Sequence, residues 1–135
     1  MPTENTQQLV QDFLTHLTNR DLDNLTLLFA EKVDWYIPGN ETLAHWTGRR
    51  HSQQDVKNFY ELLWSQTEPL TVQMDLLLVE NNQAVITGEF STRMLATDQI
   101  VNSLFCIRLS IKDRHIVWYR LLEDSYAVSE ALQKA

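Results

Sequence analysis

The chain has 135 residues, a formal charge of −7, one cysteine, three glycines and three prolines. That length suits one compact domain burying roughly 70% of its unfolded surface, and an acidic balance with no Lys/Arg stripe argues against a nucleic-acid partner. Cys106 alone cannot build a disulfide framework, no run of roughly eighteen apolar residues offers a membrane span, and Met1 to Asn5 lacks the basic start and apolar stretch of a signal peptide. One cytoplasmic domain over residues 1–135, without a membrane partner, is the expectation.

In chain order, the first element reads as a helix. After Pro2 and Thr3, apolar residues fall at Leu9, Val10, Phe13, Leu14 and Leu17, one face of a 3.6-residue period that ends at Asn19-Arg20. Asp21 is placed to cap a second, shorter helix carrying Leu22, Leu25, Leu28 and Phe29. Val33, Trp35 and Ile37 then alternate ahead of Pro38-Gly39, which predicts a short strand over 33–37. Residues 38–51 read as a loop around Trp46, and Ser52-x-x-Asp55 opens a third helix that presents Val56, Phe59, Tyr60, Leu63 and Trp64 and ends near Thr67, ahead of Pro69.

From Thr71 the period changes to two. Strands are predicted over 71–80, 84–94, 99–111 and 116–123, joined by tight polar turns, with a last helix from Ser125 to Leu132. Helices first and an antiparallel meander after make an α+β layout in which the helices pack on one face of a strongly curved sheet and close it into a cone.

The stretches "LVQDFLTHLTNRDLDNLTLLFAEKVDWYIPG", "HWTGRRHSQQDVKNFYELL" and "IVWYRLLEDSYAV" resemble the SnoaL-like and ketosteroid-isomerase-like branch of the nuclear-transport-factor-type superfamily, from about Gln7 to Ala131. The resemblance implies the cone fold and leaves function open, because that fold hosts isomerases, cyclases, epoxide hydrolases, dehydratases and plain binding modules. Carried over residue by residue, the isomerase branch puts its base at Ile37 and its two oxyanion-hole groups at Phe13 and Phe105, all hydrocarbon here; only Tyr60 matches a supporting tyrosine. The epoxide-hydrolase Arg, Asp and Asp fall on Phe90, Thr92 and Leu121. Asp124 is the nearest match to the late carboxylate of the SnoaL-type cyclases, although alternation sets it opposite the Tyr119 and Leu121 face.

Alternation also yields an inward set: Phe13 and Leu17, Trp35 and Ile37, Tyr60 and Trp64, then Phe90, Thr92, Met94, Ser103, Phe105, Ile107, Tyr119 and Leu121, with Trp46 near the mouth. Mostly apolar walls with a few polar tips suit a hydrophobic small molecule, whereas the same aromatics can equally fill the cone. Asp34, His45, His51 and Asp124 are the candidate proton-transfer groups; loop histidines are as easily solvent-facing. "HWTGRRH" spaces its histidines wrongly for a zinc site, and nothing calls for a cofactor.

Glu89, Ser91, Arg93, Arg108 and Arg120 alternate outward with Ile86, Leu104, Cys106 and Trp118, too apolar a face for bare solvent, and a homodimer through that outer sheet face is expected; the resemblance implies the same. Three functions remain open: a binding module for a hydrophobic small molecule, an isomerase, cyclase or dehydratase on a hydrophobic carbonyl compound, and a filled cone serving as an interaction domain.

Overall fold

The computed structural model describes residues 3–133, which leaves Pro2 outside. The elements in chain order are α1 (Thr3–Thr18), α2 (Leu22–Leu27), β1 (Phe29–Ile37), β2 (Gly48–Ser52), α3 (Gln53–Gln66), β3 (Thr67–Glu80), β4 (Gln83–Met94), β5 (Gln99–Lys112), β6 (His115–Glu123) and α4 (Ser125–Leu132). The strands form one six-stranded sheet in the order β2-β1-β6-β5-β4-β3. Only β1 and β6 run parallel; the other neighbours are antiparallel. This is the helices-then-curved-sheet layout that the sequence predicts.

Helix starts follow their caps. Ser52 accepts from the Asp55 amide at 3.1 Å, and the carboxylates of Asp21 and Asp124 accept from the Asn24 and Ala127 amides to start α2 and α4. Register shifts at Lys32/Trp35, Pro69/Thr71, Met74/Leu76 and Ser110/Ile111 bend the ladders, which curls the sheet around the helices. The Phe105 ring lies over Gly88, where a Cβ would run into the Gln73 carbonyl and the ring edge, so only glycine lets β3, β4 and that ring meet.

Three boundaries differ from expectation. Phe29 begins β1 instead of closing α2, because it pairs with Ile116 across the parallel ladder and its carbonyl accepts from Gln53 Nε2 at 2.8 Å. Residues 48–52, expected in a loop, form the edge strand β2 against β1. Pro69 sits inside β3, which is tolerated because β3 is the opposite edge and the register slips there.

One side of the interior is solid. Trp35 is fully buried, stacked on Tyr119 with ring centroids 4.0 Å apart and planes 11° from parallel, and in contact with Phe29, Phe59 and Tyr60. Phe13, also fully buried, packs on Phe29 and Tyr119. On the outer face Leu76, Leu78, Leu104 and Leu122 are exposed, while Arg108 and Arg120 lie over Trp118. Ile86, expected on that face, is buried inward opposite Ile107; it shares parity with Phe90. No helix among the described residues is long and apolar enough to cross a membrane.

Candidate functional site

Beside the aromatic cluster the cone is hollow. A cavity of about 440 Å³ opens between the ends of α1 and α3 and the inward faces of β3 to β6, with Val128 of α4 contributing to its wall. It exists because strand alternation points every second side chain inward and the bent sheet curves around a space that the side chains of α1 and α3 do not fill.

Of the residues expected inward, Ile37, Trp46, Tyr60 and Trp64 reach the wall from β1, the following loop and α3. Phe90, Thr92, Phe105, Tyr119 and Leu121 reach it from β4, β5 and β6. Three do not. Phe13 and Trp35 are inside the aromatic cluster, where contact with other rings leaves no free surface. Ser103 is buried, its hydroxyl donating to the Leu104 carbonyl at 2.7 Å and accepting from the Asp124 amide at 2.9 Å, which ties the start of α4 to β5.

None of the four candidate proton-transfer residues lines the cavity. Asp34 is exposed on β1 and pairs with Arg120 at 2.9 Å. His45 is exposed, with Nδ1 3.1 Å from the Glu41 carbonyl, and His51 is exposed with its amide donating to Asp55. Asp124 is exposed and spent on capping α4, since its carboxylate accepts from Ala127.

The carboxylate that does reach the wall is Glu123, the last residue of β6. Alternation holds the signal: Glu123 shares parity with Tyr119 and Leu121, so the strand that turns Asp124 outward turns its neighbour inward. Its carboxyl makes no hydrogen bond or ion pair among the described residues. Half-burial among apolar side chains pushes it up to about 7, and the neighbouring Asp124 charge adds to the rise.

Two phenols add to the polar part of the wall, beside Arg20 and the threonines Thr18, Thr67 and Thr92. Burial holds Tyr60 well above the usual phenol range and raises Tyr119 in the same sense, with the Glu123 charge adding to the latter. Both therefore stay protonated as hydrogen-bond donors at neutral pH. The Tyr60 hydroxyl is buried with no partner of normal hydrogen-bond geometry, although the Tyr119 phenol is near enough to act on its ionisation. A buried hydroxyl with so poorly placed a partner gives up part of the roughly 1–3 kcal/mol that a missing hydrogen bond costs, and an oxygen on a bound molecule would recover it.

Chemically, the site is a mostly hydrocarbon chamber with two phenol O–H donors, one carboxyl that exchanges its proton near neutral pH, and a few further polar groups, Arg20 and three threonines. Such a set can hold an apolar molecule, orient a carbonyl oxygen on a phenol, and accept or return a proton. The described residues hold no cluster of histidine, cysteine or carboxylate suited to a metal ion.

Known structures share this architecture. An NTF2-like protein from Burkholderia xenovorans LB400 is 17% identical over 98% of this chain and 99% of its own, with a TM-score of 0.88. A LEH-like epoxide hydrolase from M. tuberculosis is 15% identical over 96% and 90%, with a TM-score of 0.73. TerC, co-crystallised with polyporic acid, is 12% identical over 95% and 98%, with a TM-score of 0.81. At these identities the likeness is one of fold, and no curated protein matches the chain by sequence. The profile of the SnoaL-like domain matches residues 10–119, most of the sequence, and the chain belongs to that family.

Proposed function

We propose that this protein binds an apolar small molecule bearing a hydrogen-bond-accepting oxygen. The observation that carries this is the cavity itself: about 440 Å³, within the usual range of roughly 300–1,000 Å³ for ligand sites, walled by hydrocarbon and tipped by Tyr60, Tyr119 and Glu123. The TerC structure lends support, being a like fold co-crystallised with a small molecule, polyporic acid. Trp46 and Trp64 are on the wall, so tryptophan fluorescence reports occupancy. Titration with an apolar ketone such as 1-tetralone should give saturable quenching, weakened about five- to tenfold by Tyr60→Phe and lost in Thr92→Trp, whose indole occupies the space. Saturable binding that survives Thr92→Trp would place the ligand elsewhere.

A second reading, proton transfer on a hydrophobic carbonyl compound, is favoured by Glu123. A half-buried carboxyl raised to about 7 and unpaired among the described residues is poised as an acid or base at the operating pH, and the Tyr60 phenol can hold the enolate oxygen. Exchange of the α-hydrogens of 1-tetralone in D2O, followed by NMR, should be accelerated by the protein and fall about 100-fold or more in Glu123→Gln. A Glu123→Gln variant as active as the parent sinks this reading and leaves the binding reading standing.

A further inference from the structure

Among the described residues the cavity wall holds a single cation, Arg20, and its placement is unusual. Arg20 follows α1 at the position where the chain leaves the helix: its amide bonds the Leu17 carbonyl at 3.2 Å and the next amide bonds the His16 carbonyl at 2.9 Å, the paired bonds of a Schellman end. That end needs a left-handed residue, usually glycine, and Arg20 adopts φ 51° despite its Cβ. The conformation lays the side chain across the end of α1, with the guanidinium 5.3 Å from the ring centroid of Trp64. Trp64 in turn packs on Tyr60 at 5.3 Å, so a continuous surface runs from Arg20 to the buried phenol.

The acids near Arg20 are engaged with other groups. Asp21 accepts from the Asn24 side chain at 2.7 Å and lies 3.8 Å from His16, and Asp23 lies 3.6 Å from Lys57. The carboxyl on the wall, Glu123, does not pair with Arg20 either. A guanidinium presents five donors in a planar fork that fits a carboxylate, and a cation–π contact with an indole holds it at the rim without using those donors.

On the reading that the cavity binds an apolar molecule, we infer that Arg20 at its rim selects ligands whose outer end carries a carboxylate. The hydrocarbon body enters the chamber along Trp64, and the carboxylate stays beside the guanidinium in partial contact with water, which spares it full desolvation. Substrates of this class are apolar monocarboxylates in the aryl or fatty series.

The test compares paired probes on the intact protein: 2-naphthoate with 2-naphthamide, and dodecanoate with dodecanamide, by tryptophan fluorescence at pH 7.5. The carboxylates should bind about fivefold or more tighter than their amides, with the margin shrinking as salt is raised. Arg20→Met should erase the margin by weakening only the carboxylates, and Arg20→Lys, which keeps the charge but not the fork, should restore only part of it. Arg20→Gly separates this role from folding: glycine suits the left-handed position, so the melting temperature should hold or rise while the preference disappears. Equal binding of acid and amide to the parent protein, or a preference that survives Arg20→Met, overturns the inference and leaves the cavity reading intact. If amides and acids alike fail to bind, the inference and the reading beneath it fall together.

Discussion

Trp35→Ala is expected to lower stability by about 3–5 kcal/mol, because it removes a fully buried indole from a packed cluster and leaves a void that its neighbours cannot close. The neighbours close around it: Tyr119 stacks on one face at 4.0 Å, Phe59 tilts against it at 4.8 Å and Phe29 at 5.7 Å. For a domain of this size the loss corresponds to roughly 10–18 °C in melting temperature, measured by calorimetry or as a shift in urea midpoint at unchanged slope. Trp35→Phe keeps a ring in the stack and should cost less than half as much. A loss under about 1 kcal/mol for the alanine variant would mean that Trp35 borders a space with room to relax, as a cavity wall does.

The second large effect is on pH dependence and belongs to Glu123. Its carboxyl titrates near 4.5 in the unfolded chain and is pushed up to about 7 in the folded one. Between those values the folded state binds the proton and the unfolded state does not, so stability falls as pH rises through this window. Below it both states are protonated; above about 7 both are ionised and the folded state carries the full cost of a carboxylate held among hydrocarbon. At about 1.4 kcal/mol per unit, discounted for partial exposure to water, the swing is about 2–3 kcal/mol. Asp21 and Asp55 are shifted the opposite way, below 3.8, by hydrogen bonds from Asn24 and from the His51 amide, so their contributions vanish only in stronger acid. Urea unfolding of the parent and Glu123→Gln from pH 4.5 to 8 isolates the effect. The variant should be flat where the parent declines, and more stable than the parent at pH 8. Parallel curves would show that Glu123 sits in water.

The sheet half of the chain was legible because long alternating runs leave little freedom. Strands expected at 84–94, 99–111 and 116–123 appear as Gln83–Met94, Gln99–Lys112 and His115–Glu123, and α4 spans Ser125–Leu132 as expected. Gly48–Ser52 was not legible, since "GRRHS" has no apolar alternation and becomes a strand only because β1 offers it a ladder. Phe29 keeps helical spacing with Leu22 and Leu25, and its parallel pairing with Ile116, 87 positions away in sequence, overrides that local pattern.

At the site, parity told which way a side chain points but not what it meets there. Trp35 and Tyr119 both face inward; one is wholly enclosed by rings while the other also reaches the hollow. Family likeness drew attention to Asp124, which caps a helix, and away from Glu123, which the same alternation turns inward. Arg20 carried no sequence signal, because a residue ending a helix shows neither its left-handed φ nor the ring beneath it.

In the proposed function, the hollow beside the filled, aromatic side of the cone receives an apolar molecule. Calorimetric titration with 1-tetralone at several temperatures tests it most directly. The expected result is one site per chain with a negative heat-capacity change, since apolar surface leaves water on both partners, and loss of that signal in Thr92→Trp. A heat-capacity change near zero, or a signal indifferent to Thr92→Trp, would contradict it.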